Sequence, residues 1–162
     1  MGIIVSYYVI NNSKLISEIE DKMNSNFDIE SFLNQNKAKI TSFSSFVKSW
    51  NPLYSLLGKI SGNNLFDKLS DYKSSYEFDE YSKIFTNNEV NVLHGIFENV
   101  TGEEIKKAIK NDLFKIEISE EEGYHMEYIA DEDSIYTEFI ELKNAVDFAY
   151  NSNSQILQIL MP

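Results

Sequence analysis

Ile3-Ile4-Val5-Ser6-Tyr7-Tyr8-Val9-Ile10, stopped by Asn11-Asn12, is a dense run of strand-forming side chains closed by turn-formers. A lone strand leaves its N–H and C=O groups without ladder partners. The far end of the chain offers one, because Gln155 to Met161 reads as a closing strand. Helical patterns fill the sequence between them. The expected fold class is therefore α+β: a single domain over residues 1–162, its N- and C-terminal strands in one small sheet packed against several helices.

After Asn12 the period changes from two to about four. Leu15, Ile19 and Met23 stack on one face of a short amphipathic helix over Ser13 to Met23. Phe27, Ile29, Phe32 and Leu33 form a weaker pattern worth one or two helical turns. Phe43, Phe46, Val47 and Trp50 make an apolar helical face that ends at Asn51-Pro52, where Asn caps a second helix and Pro fits its first turn. Leu53, Leu56, Leu57 and Ile60 are the buried face of that second helix, and Gly62 is placed to end it. Leu65, Phe66, Leu69 and Tyr72 have helical spacing, and the alternation of Tyr76, Phe78 and Tyr81 suggests an extended or irregular stretch.

Two local signals are sharper. Thr86-Asn87-Asn88-Glu89 and Thr101-Gly102-Glu103-Glu104 each place Glu three residues after a hydroxyl, which lets side chain and backbone satisfy each other at a helix start. The helices that follow carry Val90, Leu93, Ile96, Phe97 and Val100, then Ile105, Ala108 and Ile109. Leu113 to Ile118 alternates weakly, and the acid-rich Ser119 to Asp133 reads as a solvated loop. A last helix is expected from about Ser134 to Tyr150, with Ile135, Phe139, Leu142, Val146, Ala149 and Tyr150 on one side.

At 162 residues with 43% hydrophobic side chains, folding can bury about two thirds of the extended-chain surface without disulfides. Cys is absent, which removes thiolate nucleophiles and Cys-based metal sites. The net charge of −12 opposes phosphate backbones and anionic lipid, so neither nucleic acid nor membrane is an expected partner. No run of 18 apolar residues and no basic, cleavable leader is present, and a cytoplasmic setting is the expectation.

The chain resembles the YfbM-like family, the domain of unknown function 1877, over nearly its whole length. The likeness rests on Met1-Gly2-Ile3 with Tyr7-Tyr8, on Lys48-Ser49-Trp50-Asn51-Pro52-Leu53-Tyr54-Ser55-Leu56-Leu57-Gly58, on the capped pair of helices from Thr86 to Ile109, and on the last helix, Ile135 to Tyr150, leading into a terminal strand. The family segment runs Leu-His-x-Leu-Leu-Thr-Gly after a basic residue and Trp. Tyr54 stands here at the His position, and Lys59 to Gly62 stretches out the Thr-Gly. The resemblance implies the fold and no chemistry.

Candidate chemistry is sparse. No phosphate loop, dinucleotide fingerprint or nucleophile elbow is present, and no cofactor or metal is called for. His94 sits beside Leu93 and Phe97 on a helix edge. His125, within Glu120-Glu121-Glu122-Gly123-Tyr124-His125-Met126-Glu127, has carboxylates near enough in sequence to raise its pKa or share a metal. A small hydrolase or metal-assisted enzyme using His125 with Glu127 or Asp131 is thus one alternative, and a structural or assembly subunit is another. Trp50 reads as core, or as an interface anchor if its stripe faces outward.

From Glu117 to Glu141 there are ten acidic residues and no Lys or Arg. Such a segment is either a solvated face or a field that captures a basic protein. Tyrosines among carboxylates add amphipathic contact area. The expected partner-binding residues are Glu120, Glu121, Glu122, Tyr124, Tyr128, Asp131, Glu132, Asp133 and Tyr136. The leading expectation is a non-catalytic acidic protein-binding domain, and its sharpest form is a bacterial immunity protein that neutralises a basic toxin.

Overall fold

The computed structural model describes residues 4–22, 28–45, 49–66, 82–122 and 132–161. β1 (Ile4–Ile10) leads into α1 (Ser13–Lys22), α2 (Ile29–Gln35), a single 3-10 turn at Lys37–Lys39 and β2 (Ile40–Phe43). Then come α3 (Trp50–Ser61), β3 (Ser82–Phe85), α4 (Asn87–Asn99), α5 (Gly102–Ile109), α6 (Asp112–Glu122), α7 (Glu132–Asn151) and β4 (Gln155–Met161). The four strands form one antiparallel sheet in the order β2-β1-β4-β3. The terminal strands lie in one sheet as expected and pair at its centre, Ile4 opposite Met161 and Ile10 opposite Gln155. The fold is α+β.

Alternation along β1 and β4 gives the sheet two faces, and helices cover both. Val5, Tyr7, Val9, Ile156 and Leu160 face the larger core, with Trp50, Leu53, Tyr54 and Leu57 of α3, Val90, Leu93 and Phe97 of α4, and Phe139, Leu142 and Val146 of α7. Ile10, Leu157 and Ile159 face a smaller core built by Leu15, Ile16 and Ile19 of α1 and Ile29, Phe32 and Leu33 of α2. Trp50 is buried, which settles it as a core residue.

Local chemistry explains most boundaries. Both Thr-x-x-Glu signals form reciprocal caps. Glu89 N donates to Thr86 Oγ1 at 3.2 Å while Thr86 N donates to Glu89 at 2.9 Å, and Thr101 with Glu104 repeats the pattern at 3.2 and 2.7 Å. These bonds, from the Thr101 backbone first, hold the Glu104 carboxyl below its usual pKa. Thr101→Ala is expected to lower the melting temperature by about 2–4 °C, the effect of one lost cap in a chain of this size, read by thermal unfolding. An unchanged melting temperature would show that tertiary packing alone sets this helix start. Gly62 ends α3 in the left-handed region, at φ 62°, with its N–H on Gly58 O at 2.9 Å.

Four sequence expectations are corrected. Phe43 lies on β2, not on a helical face with Trp50; the β-branched Ile40 and Thr41 pair with Ile10 and Val9, and a strand edge in need of a ladder outweighs helical spacing. Asn51 is not a cap, because α3 begins at Trp50 after Ser49, although Pro52 still falls within the first turn, where no N–H is needed. Leu113 to Ile118 is helical rather than extended, and the acid-rich segment begins as the last turn of α6. α7 starts at Glu132, two residues earlier than expected, and takes Glu132 and Asp133 out of the loop. β3 had no clear sequence signal. Tyr76, Phe78 and Tyr81, with Met23, Phe27, Phe46, Val47, Leu69 and Tyr72, lie outside the described residues.

Candidate functional site

Of the expected partner-binding residues, the structure describes the side chains of three. Asp133 is exposed on the first turn of α7, and Glu132 beside it lies 3.9 Å from Lys115 Nζ of α6. Tyr136 is half-buried: a Cβ on Gly102 would meet its Cε2 at 3.0 Å, and Lys106 Nζ sits 4.3 Å from its ring centroid. Its ring therefore packs across the start of α5. Glu120, Glu121 and Glu122 form the last turn of α6 by backbone. Tyr124, His125, Glu127, Tyr128 and Asp131 lie outside the described residues. Among the described residues no group of His, Asp and Glu is arranged to hold a metal ion. His94 stacks on Tyr150 with ring centroids 3.7 Å apart, its Nε2 3.7 Å from Asp147 Oδ1, which makes it a packing residue at the α4–α7 contact.

α6 is unusual in two ways. Leu113 is 77% exposed and Ile116 45% exposed, three residues apart and so on one face of the helix. The helix also ends in Glu120-Glu121-Glu122 with no base in its last turn, which puts negative charge at the negative end of the helix dipole. Lys59 pairs with Glu117 at 2.7 Å and Lys115 approaches Asp112 at 4.0 Å.

A second constellation lies in the larger core, and the sequence reading missed it. Glu138 of α7 is fully buried, with Tyr7 of β1, Tyr54 of α3 and Gln158 of β4 around it. Tyr7 Oη lies 3.0 Å from Glu138 Oε1 and 3.1 Å from Tyr54 Oη, Tyr54 donates to Gln158 Oε1 at 2.5 Å, and Ser45 donates to Glu138 Oε2. Gln158 Nε2 is buried with no hydrogen-bond partner among the described residues. Burial pushes the Glu138 carboxyl up to about 7 against the bonds from Ser45 and Tyr7, with the Glu141 charge adding to the rise. Burial likewise raises both tyrosines well above the ordinary phenol range.

The four groups form a relay whose direction depends on one proton. Each tyrosine has a single O–H. With Tyr54 donating to Gln158, the Tyr7 proton serves the Tyr7–Tyr54 contact, and a neutral Glu138 completes the chain by donating to Tyr7. When Glu138 is ionised, Tyr7 must donate to the carboxylate and Tyr54 to Tyr7. Gln158 then satisfies Tyr54 only by turning its amide over and donating through Nε2. The relay can hold a proton at neutral pH, and it ties α7 to both central strands.

Spacing did contain a signal for it. Glu138 falls between Ile135, Phe139 and Leu142 on the apolar stripe of α7, and Gln158 takes an inward position between Ile156 and Leu160. A polar residue in an apolar register must find a buried partner. The comparisons with known proteins return nothing: no protein-family model, curated protein or solved structure matches the chain.

Proposed function

We propose that this chain is a non-catalytic protein-binding domain whose α6–α7 surface engages a basic protein. The observation that carries the reading is the pairing on α6 of exposed Leu113 and Ile116 with an acidic C-terminal turn. An apolar pair followed by an acidic turn suits a partner that brings an apolar pocket and cations. Bound cations would also relieve the dipole conflict at Glu120, Glu121 and Glu122. A bacterial immunity protein that neutralises a basic toxin in the cytoplasm is the form with the most specific consequence, and kinship with the YfbM-like family belongs to the same proposal. Nucleic acid is disfavoured as a partner by the net charge of −12. Among the described residues no helix is long and apolar enough to cross a membrane.

The test is affinity capture from native host lysate at low and moderate salt, followed by association kinetics with whatever basic protein is retained. Substituting Glu120, Glu121, Glu122 and Glu132 by Gln, and Asp131 and Asp133 by Asn, is expected to slow association about tenfold or more at low salt with the fold intact. Leu113→Ser is expected to act mainly on dissociation. Association unchanged by the six substitutions would remove the electrostatic basis of the proposal.

A further inference from the structure

The smaller face of the sheet is not covered evenly. Ile10, Leu157 and Ile159 lie under α1 and α2, but the inward positions that continue β1 and β2 away from them carry hydroxyls: Ser6 and Tyr8 on β1, Ser42 opposite Tyr8, and Ser44 just beyond β2. An alternating strand that met a helix here would carry apolar residues at those positions. These side chains floor a groove of about 410 Å³ instead, within the usual size range of small-molecule sites. Its other wall comes from Glu30 and Asn34 of α2 and from Lys37 of the following turn.

The wall has a polarity. Glu30 lies on the first turn of α2 and Lys37 opens the 3-10 turn that follows the helix, so the two charges enter the groove from different parts of the segment. No ion pair joins them or occupies either one among the described residues. Tyr8 lines the same groove half-buried, and burial raises its pKa, with the Glu30 charge adding to the effect. Asn34, between Glu30 and Lys37 along the chain, lines it as well. We propose that this groove binds a small zwitterion of amino-acid or dipeptide size, its ammonium at Glu30 and Tyr8, its carboxylate at Lys37, and its backbone polar groups on Asn34 and the serine hydroxyls. Opposite charges held apart across a polar floor match a ligand with the same charges reversed, whereas an anion, a cation or a neutral polyol would leave at least one of them unanswered. The groove is on the opposite face of the sheet from α6 and α7, so it stands or falls independently of the protein-binding proposal.

Calorimetric titration of the full chain with alanine, alanyl-alanine, N-acetyl-alanyl-alanine, alanyl-alanine amide and glucose tests it. A free zwitterion is expected to bind, and blocking either terminus to weaken binding about tenfold or more. Glu30→Gln should abolish the discrimination against the acetylated peptide, and Lys37→Met that against the amide. Both residues are exposed on the helix surface, so the variants are expected to fold. Alanine against alanyl-alanine separates the two ligand lengths. Binding of glucose or a blocked peptide as tight as that of the free zwitterion would overturn the proposal. So would selectivity unchanged in both variants, or no zwitterion bound at about 10 mM, the weak limit of a useful site.

Discussion

Glu138→Gln is expected to remove most of the loss of stability that the wild-type chain suffers between pH 5 and pH 8. The carboxyl titrates near 4.5 in an open chain and at about 7 in the fold, so its folded value is the higher one. The stability contributed by the neutral form is then fully present below about 4.5 and is lost as pH rises through about 7. The difference amounts to about 3 kcal/mol, a large share of the stability of a domain this size. The substituted amide can donate to Tyr7 and accept from Ser45, the polarity the neutral acid enforces on the relay. Urea unfolding of both proteins at pH 5 and pH 8 gives the measurement. The other carboxylates add a common background, so the difference between the two pH profiles is the quantity of interest. Parallel profiles would mean that water or a counter-charge reaches Glu138. Glu138→Leu serves as contrast, because it removes the partner of Tyr7 and the acceptor of Ser45 together and should destabilise at both pH values.

Phe139→Ala should have the largest effect of any single core truncation near the relay, about 3–5 kcal/mol. Phe139 is 1% exposed and lies against Phe97 edge-on with ring centroids 5.7 Å apart, and 6.3 Å from Tyr136. Truncation would open a cavity between α4, α5 and α7 that the surrounding rings cannot collapse to fill. A fall in melting temperature of about 10 °C or more by calorimetry is expected, and Phe139→Leu should cost a smaller part of it. A loss below about 1 kcal/mol would show that Tyr136 and Phe97 repack into the space.

Much of this fold was legible from residue type and spacing. The strand-formers at both ends, the two Thr-x-x-Glu caps and Gly62 are local signals, and each element they predict is present because its determinants lie within a few residues. Where the signal was weak, tertiary pairing decided. Ile40 to Phe43 is a strand because β1 offers it an edge, and Ser82 to Phe85 because β4 does. The candidate site was less legible. The acidic run from Glu117 to Glu141 stood out as composition, but composition does not say that Leu113 and Ile116 are exposed beside its start, or that Tyr136 packs on Gly102.

Sequence by itself placed a strand at each end of the chain in one small sheet, set the net charge of −12, and marked where two helices begin, since charge, caps and alternation are properties of neighbouring residues. Tertiary structure decided which polar groups meet. Tyr7, Tyr54, Glu138 and Gln158 are 47 or more residues apart along the chain wherever they bond, and only the closing of α3 and α7 over the central strands brings them together. The pKa of Glu138, the direction of the relay and the unpaired charges along the α2 groove are consequences of distance and burial, which no stretch of neighbouring residues contains.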